Sequence, residues 1–265
     1  NFEDFKKLVL PMIEKHLNNH NENVMESNIT LKIEKNKMIR KILKTSWNAI
    51  CQLKESDFEI FKTEFRIGRD IPLKITLDSG KTVNIIGVVD RIDKADINSD
   101  KYVRVIDYKS GLTAFSTEKI NLGLQLQLPL YMKAIIGDYL PAGIYYSRIV
   151  DPIKDVDTDK DNISKKFQLN GITLADMSVL SASDRMLDGP SSSDIIQADI
   201  TTKGEISKKS KVLDKKEFDE LLEKAVLVAS ETISKILFGE TKINPKKLSD
   251  YNACEYCEYK SICHK

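Results

Sequence analysis

Residues 87–111, GVVDRIDKADINSDKYVRVIDYKSG, contain two segments rich in β-branched residues with a polar stretch between them. We predict that these segments belong to strands at 82–95 and 101–111, which form a hairpin turning at Asn98–Ser99. In that register Asp93 faces Arg104, an opposite-charge pair that stabilises the alignment. The same register makes Asp90 face Asp107.

Two opposed carboxylates are an unusual feature of a strand pair. Directly facing side chains have Cβ atoms about 4.5–5.5 Å apart, so Asp90 and Asp107 repel unless they share a proton or bind a cation. Mg²⁺ or Mn²⁺, which prefer oxygen ligands, would remove the repulsion. Lys109 lies roughly 7 Å further along the same face, where its ammonium would stand beside the cation. A metal ion and an ammonium together suit phosphodiester hydrolysis.

A simpler interpretation of the same residues stays open. Carboxylates at the ends of strands are commonly solvated surface groups. A slip of one residue in the register would also place Asp90 and Asp107 on opposite faces of the sheet.

The rest of the chain predicts an α/β fold, with a central mixed sheet flanked by helices. We expect three regions: a helical segment at 1–60, a core at 61–240 with an inserted loop region near 151–212, and a cysteine-bearing tail at 241–265. The individual elements are helices at 2–20, 36–55, 122–137 and 214–238, and further strands at 64–68, 72–77 and 142–150.

Composition excludes several classes of protein. The 41 basic and 40 acidic residues balance, so any basic surface for a nucleic acid must be local. No run of 18 apolar residues, no signal peptide and no phosphate-binding G-x-x-x-x-G-K-[ST] motif occurs, so a membrane span and an ATP-driven motor are not expected. Because the chain starts at Asn1 rather than Met, we expect a piece of a longer protein.

Three of the four cysteines, Cys254, Cys257 and Cys263, lie within ten residues of one another. Their spacing in a chain without an export signal favours metal ligands over disulfides, and indicates a reducing, cytoplasmic location. Zinc and iron–sulfur clusters both need four ligands. Cys51 lies in a helical stretch and is more typical of a buried thiol.

Three motifs in order, GVVDRID at 87–93, VIDYKSG at 105–111 and QLPLY at 127–131, resemble the RecB-like branch of the PD-(D/E)XK nucleases. The similarity is greatest to the nuclease domain of AddB-type subunits of helicase–nuclease complexes, and includes FQLNGITLAD at 167–176 and ACEYCEYKSIC at 253–263. It extends over roughly residues 60–265. The resemblance implies a restriction-endonuclease-like core.

The resemblance also implies roles for individual residues. Asp90 matches the acidic residue of the first motif, and Asp107 and Lys109 match the D-x-K pair. The carbonyl of Tyr108 commonly completes the metal shell in such enzymes. Asp90, Asp107 and Tyr108 are therefore the expected ligands of Mg²⁺ or Mn²⁺, with Lys109 assisting the attacking water.

Gln127 and Tyr131 match a Q-x-x-x-Y motif that supports the active site and contacts DNA in the family. Their spacing of four residues puts both on one helix face. From the residues alone, an ordinary helix with Tyr131 in the core and Gln127 as a cap or surface group explains the pattern equally well.

The chain departs from the family pattern before the sheet, where a helix usually supplies a histidine or an acidic residue as a further ligand. Neither His16 nor His20 has a matching context, and Glu64 is the candidate extra acidic ligand. We expect the missing element to lie before Asn1, and the isolated chain to bind metal weakly or to be inactive.

The implied function is a Mg²⁺-dependent DNA exonuclease that cuts single-stranded ends delivered by an AddA-like helicase partner, during double-strand break processing for recombinational repair. The resemblance further implies a [4Fe–4S] cluster on Cys254, Cys257 and Cys263, whose fourth cysteine comes from well before the core. We expect this cluster to be incomplete here. The alternatives are a non-catalytic scaffold of the same fold that binds DNA or docks onto a partner protein, and a metal-binding module whose main feature is the tail.

Overall fold

The computed structural model of the chain describes residues 1–111, 113–150, 165–248, 251–255 and 257–263, with the backbone alone at 20–22. The predicted loop region near 151–212 therefore lies partly outside the described residues, at 151–164. The helices are α1 (Phe2–Asn18), α2 (Ile29–Lys54), α3 (Thr117–Asn121), α4 (Gln127–Ile135), α5 (Met177–Ser183) and α6 (Lys215–Leu237). The strands are β1 (Glu59–Ile67), β2 (Leu73–Thr76), β3 (Thr82–Ile85), β4 (Gly87–Ile97), β5 (Asp100–Lys109), β6 (Leu140–Arg148), β7 (Asn170–Leu174), β8 (Val212–Leu213), β9 (Lys247–Leu248) and β10 (Tyr251–Asn252).

Six strands form the central sheet, in the order β1-β4-β5-β6-β7-β8. The β5–β6 and β7–β8 pairs are parallel and the other pairs are antiparallel, so the sheet is mixed. The predicted α/β class with a central mixed sheet flanked by helices is confirmed. The predicted single strand at 82–95 is wrong in one respect: Ile86 separates β3, which pairs with β2, from β4 in the main sheet.

The β4–β5 hairpin turns at the two predicted residues, Asn98 and Ser99, which have φ values of 51° and 72°. Such left-handed pairs give the twist that a two-residue hairpin needs. The predicted pairing of Asp93 with Arg104 is present, and the ladder ends at Arg91–Ile106. Asp90 and Asp107, which the predicted register makes face each other, occupy the position just after this last ladder pair.

The central strand β5 is buried on both faces over residues 102–107, and this buried stretch includes the charged residues Arg104 and Asp107. Val103 and Val105 belong to the main core, together with residues of α4 and α6. Ile106 and Tyr145 belong to a second, smaller core on the other face. Asp107 therefore sits in a largely dry environment, whereas Lys109 at the end of β5 is partly exposed.

Side chains cap the start of α1, α2, α5 and α6. At α6, Asp214 and Glu217 form a reciprocal capping box. The side chain of Asn28 caps α2, and this helix starts seven residues before the predicted position. A 3-10 helix, His20–Glu26, precedes it.

The helix predicted at 122–137 is shorter and starts at Gln127, which places Pro129 in the first turn, where a missing N–H is tolerated. Within the described ranges, no helix is both long and apolar enough to cross a membrane.

Candidate active site

The candidate site lies where the last residues of β5 meet the first turn of α4. Asp107 and Lys109 alternate along β5 and so point to the same face, and Gln127 begins the helix that packs there. Asp107 is 2% exposed, while the side chain of Lys109 is 31% exposed. The carboxylate is thus shielded from water and the ammonium can reach it.

The two carboxylate oxygens of Asp107 have different partners. Its Oδ1 accepts a hydrogen bond from Gln127 Nε2 at 2.7 Å. Its Oδ2 lies 2.6 Å from Lys109 Nζ, an ion-pair contact without hydrogen-bond geometry, and has no hydrogen-bond partner among the described residues. Burial raises the pKa of Asp107, as does the nearby charge of Asp90, while Lys109 and Gln127 act in the opposite direction.

Asp90 is held against the backbone of the neighbouring strand. The N–H of Tyr108 donates to Asp90 Oδ2 at 2.7 Å, one position beyond the last ladder pair. This bond fixes Asp90 beside the D-x-K segment. The structure thus brings Asp90 and Asp107 near each other through a side chain-to-backbone bond rather than through the strand ladder.

Gln127 links the members of the site. Its Oε1 accepts from Lys109 Nζ at 3.1 Å, and its Nε2 lies 3.3 Å from Tyr131 Oη on the next turn of α4. Tyr131 in turn packs on the backbone of Gly87: a Cβ at Gly87 would come within 2.7 Å of Tyr131 Cε1. The glycine of the GVVD segment is therefore required for the helix to approach the strand.

The donor set suits a hard divalent cation. Asp90 and Asp107 offer carboxylate oxygens, and Tyr108, the residue after Asp107, offers a carbonyl oxygen. Hard divalent ions prefer such oxygen ligands. The buried Asp107 Oδ2 without a hydrogen-bond partner is an acceptor that a cation would satisfy. The residues present therefore fit the expected metal ion.

Glu64 is not gathered into this set. It lies in β1 between Thr63 and Phe65, which pair with Arg91 and Val89, so its backbone is beside Asp90. Its side chain is exposed and its φ is 50°, a left-handed value that turns the strand locally. Over the part of the chain that the structure describes, no three or more His, Cys, Asp or Glu side chains form a metal-binding group.

Behind the site, on the other face of the sheet, lies a buried charge network that the sequence reasoning largely missed. Asp93 accepts from Arg91 Nε and Nη2, both at 2.6 Å, and from Arg104 Nε at 2.9 Å. Arg91 Nη1 donates to Tyr108 Oη at 3.3 Å. The network thus anchors the side chain of Tyr108, the residue whose backbone holds Asp90.

The sequence offered a signal for this network. Arg91 and Asp93 alternate in R-I-D and must share a face of the strand. The pattern identified the Asp93–Arg104 pair only as a marker of the register, because periodicity does not show that the face is fully buried.

A cavity of about 510 Å³ adjoins the site. Its lining includes Lys109 and Gln127, which both contact Asp107, and also Tyr251 and Glu255 from the tail. Contacts between distant segments have no local pattern, so the position of the cysteine-bearing tail at this end of the sheet could not be predicted from the sequence.

The tail cysteines lie in a series of turns. Cys254 N–H donates to Asn252 Oδ1 at 3.0 Å, Cys257 N–H lies 3.4 Å from the Cys254 carbonyl, and Cys263 N–H donates to the Tyr259 carbonyl at 2.8 Å. All three are free thiols, as is Cys51, which lies in α2 and whose pKa is raised by burial. Within the described ranges the three tail thiols do not form a metal-binding group.

A D…D-x-K constellation on a mixed sheet, with a buried second aspartate braced by a glutamine from a helix, is typical of a class of metal-dependent nuclease folds. A family model of the PD-(D/E)XK nuclease superfamily matches residues 12–264, and the chain belongs to this superfamily. Its fold is accordingly restriction-endonuclease-like.

Curated relatives carry a more particular name. Proteins named as the B-type subunit of an ATP-dependent helicase/deoxyribonuclease, from Thermoanaerobacter sp. (strain X514), Clostridium kluyveri (strain NBRC 12016) and Clostridium perfringens (strain SM101 / Type A), are 31%, 32% and 31% identical to the chain. The alignments cover 95%, 95% and 98% of the chain but only 23%, 23% and 24% of the relatives. The chain thus spans about a quarter of the length of these proteins.

Proposed function

We propose that the chain is a Mg²⁺- or Mn²⁺-dependent DNA exonuclease domain that hydrolyses phosphodiester bonds of single-stranded ends. The observation that carries this proposal is the buried Asp107 carboxylate, whose Oδ1 is fixed by Gln127 and whose Oδ2 is left to the Lys109 ammonium alone. At 2% exposure no bulk water completes the shell of this carboxylate, so a bound cation would use the acceptor capacity that the Lys109 ammonium leaves.

In this proposal Asp90, Asp107 and the carbonyl of Tyr108 hold the cation, which when bound lowers the pKa of a water molecule and polarises the phosphate. Lys109 orients the attacking water and stabilises the negative charge that develops on the phosphate oxygens. Gln127 hydrogen-bonds to both Lys109 and Asp107 and so fixes the positions of these two side chains relative to each other. Water attacks phosphorus, the bond to one ester oxygen breaks, and that oxygen leaves with a proton.

Tyr131 has a supporting role in this scheme. It packs on Gly87 and its hydroxyl meets Gln127, so it sets the distance between α4 and the strand that bears Asp90. Gln127 and Tyr131 together would also guide the DNA strand past Lys109.

The names of the relatives support a place in a helicase–nuclease. We propose that the chain works within a longer polypeptide, next to an AddA-like helicase partner that delivers strands during double-strand break processing for recombinational repair, and that it does so in the cytoplasm.

For the tail, we propose that Cys254, Cys257 and Cys263 are three ligands of a [4Fe–4S] cluster in the full-length protein, with the fourth cysteine supplied by a segment before the core. Cys254 and Cys257 already lie in one turn. Iron and sulfide analysis of anaerobically purified full-length protein tests this: zinc without iron would refute the cluster.

The nuclease proposal is tested in the full-length complex by Asp107→Ala, with Asp199→Ala, a partly buried aspartate next to the second core, as the control. We expect Asp107→Ala to abolish DNA cleavage while unwinding by the partner continues. Cleavage that survives Asp107→Ala would refute the site. Wild-type complex that unwinds but never cleaves, with no cation bound at Asp90 and Asp107 in Mn²⁺-soaked crystals, would favour the non-catalytic scaffold.

A further inference from the structure

The cavity beside Lys109 combines two parts of the chain that are far apart in sequence. Its volume of about 510 Å³ falls within the range of small-ligand sites, about 300–1,000 Å³. Lys109 and Gln127 belong to the candidate active site, whereas Tyr251 and Glu255 belong to the tail. A nucleotide in this cavity would therefore lie directly next to the residues that face the scissile phosphate.

Two pairs of an ammonium group and an aromatic ring line the cavity. Lys109 Nζ lies 5.4 Å from the ring centroid of Tyr146, and Lys119 Nζ lies 6.0 Å from that of Tyr251. Tyr146 is buried at 3% exposure, but Tyr251 is only partly buried and can offer its ring to a ligand. Alternating basic and aromatic groups are the usual lining of a groove for single-stranded nucleic acid.

The wall next to Lys119 is fixed before any ligand arrives. Gln125, which is buried, accepts from the N–H of Ser116 and donates to the carbonyl of Ala114, both at 2.8 Å. The ring of Phe115 lies 6.3 Å from that of Tyr146, between centroids. Since the segment 113–116 is held from both sides, the cavity keeps its shape without a bound strand.

We propose that this cavity is a nucleotide subsite for single-stranded DNA, in which the ring of Tyr251 stacks on an unpaired base and Lys119 contacts a backbone phosphate. The inference rests on the proposed nuclease function, because the occupant is the same strand that passes Lys109. In a duplex the faces of each base are covered by its neighbours, so Tyr251 favours single strands over duplex.

The base-stacking half of the proposal is tested by equilibrium binding in EDTA, where no cleavage occurs. Full-length protein is titrated into a fluorescent oligothymidylate, and into an oligomer of the same length without bases. We expect Tyr251→Ala to weaken binding of oligothymidylate about tenfold, the effect of losing one stacked base. Tyr251→Phe, which keeps the ring, should stay within about twofold, and the baseless oligomer should not distinguish alanine from tyrosine.

The phosphate half of the proposal has a separate readout in the salt dependence of binding. One lost phosphate contact lowers the slope of log affinity against log salt by about 0.7 for a single strand. We expect this change for Lys119→Gln, no change of slope for Tyr251→Ala, and no effect of Lys216→Gln, which removes an exposed charge on α6.

Unchanged affinity in Tyr251→Ala, or an equal loss with the baseless oligomer, would overturn the stacking role. An unchanged slope in Lys119→Gln would overturn the phosphate contact. Tyr251→Leu replaces the alanine variant if circular dichroism shows that the latter is unfolded. An inactive wild-type protein that binds DNA as described would refute the proposed function and leave the subsite standing.

Discussion

Replacing Asp93 by asparagine removes the single negative charge that holds two buried arginines. Asp93 and Arg104 are both 0% exposed and Arg91 is 4% exposed, so no water can take over the lost interactions. Asp93 Oδ2 receives both Arg91 Nη2 and Arg104 Nε, at 2.6 and 2.9 Å. An amide keeps one acceptor oxygen but points an NH₂ group at a guanidinium if it adopts the same rotamer.

The expected cost follows from this geometry. Removing one partner of a buried ion pair destabilises by about 3–5 kcal/mol, because the remaining charges are left uncompensated. Arg104 is especially sensitive to this effect, since its Nη1 and Nη2 already have no hydrogen-bond partner among the described residues and its guanidinium rests 4.5 Å from the ring centroid of Phe58. For a domain of this size the melting temperature should fall by roughly 6–20 °C.

The assay is chemical denaturation of the parent, Asp93→Asn and a matched control, Asp57→Asn. Asp57 also pairs with an arginine, with Oδ1 3.0 Å from Arg185 Nη1, but both side chains are about half exposed, at 51% and 53%. Such a pair contributes at most about 1 kcal/mol. Equal small losses for the two variants would refute the buried-charge reasoning.

A triple variant separates the effect of buried charge on stability from the effect of packing. Replacing Arg91, Asp93 and Arg104 together by Met, Leu and Met removes every buried charge of the network at once. Because a well-packed apolar replacement of a buried ion network is often neutral or stabilising, this triple variant should be more stable than Asp93→Asn alone. A triple variant that is still less stable than Asp93→Asn would show that shape, not charge, dominates.

Three further results are expected. Gly87→Ala should lower the free energy of unfolding by about 1–3 kcal/mol, because the new Cβ would meet Tyr131 Cε1 at 2.7 Å and Oη at 2.8 Å. Gly137→Ala is the control, since nothing lies within 4 Å of its new Cβ. Equal effects of the two substitutions would contradict the packing argument. Burial raises the pKa of Asp107, so the native state binds more protons than the unfolded state as pH rises from the ordinary value of 3.8 towards the raised one. The parent therefore loses stability as the pH rises across that interval. Asp107→Asn should unfold at a higher denaturant concentration than the parent at pH 7, and this difference should shrink as the pH is lowered towards 3.8. A variant less stable than the parent at neutral pH would contradict the burial effect. Mg²⁺ at a hundredfold excess over its dissociation constant should stabilise the parent by about 2.7 kcal/mol and so raise its melting temperature. The melting temperatures of Asp90→Ala and Asp107→Ala should not change with Mg²⁺. A rise in these variants would place the cation elsewhere.

The strand pair β4–β5 shows which features of a hairpin a local sequence pattern can predict. The turn at Asn98–Ser99 and the Asp93–Arg104 pair were predictable, because turn residues and charge complementarity act over a few residues. The departure at Asp90 was not: whether its carboxylate faces a neighbouring side chain or accepts the N–H of Tyr108 depends on where the ladder ends.

Gln127 shows what depends on the packing of a helix against a strand and not on local sequence. Its spacing to Tyr131 placed both on one helix face, but the sequence left an ordinary surface helix equally open. Only the packing of α4 against β5 brings Gln127 between Asp107 and Lys109, and that packing depends on the absence of a side chain at Gly87.

The sequence alone determined the class of fold, the hairpin and the set of candidate residues, because periodicity, turns and short motifs are encoded locally. The tertiary structure decided which carboxylate oxygen lacks a partner, where the two arginines balance Asp93, and that Tyr251 of the tail faces the cavity at Lys109. These features depend on burial and on contacts between distant segments, since the energy of a charge is set by what surrounds it and not by its neighbours in the chain.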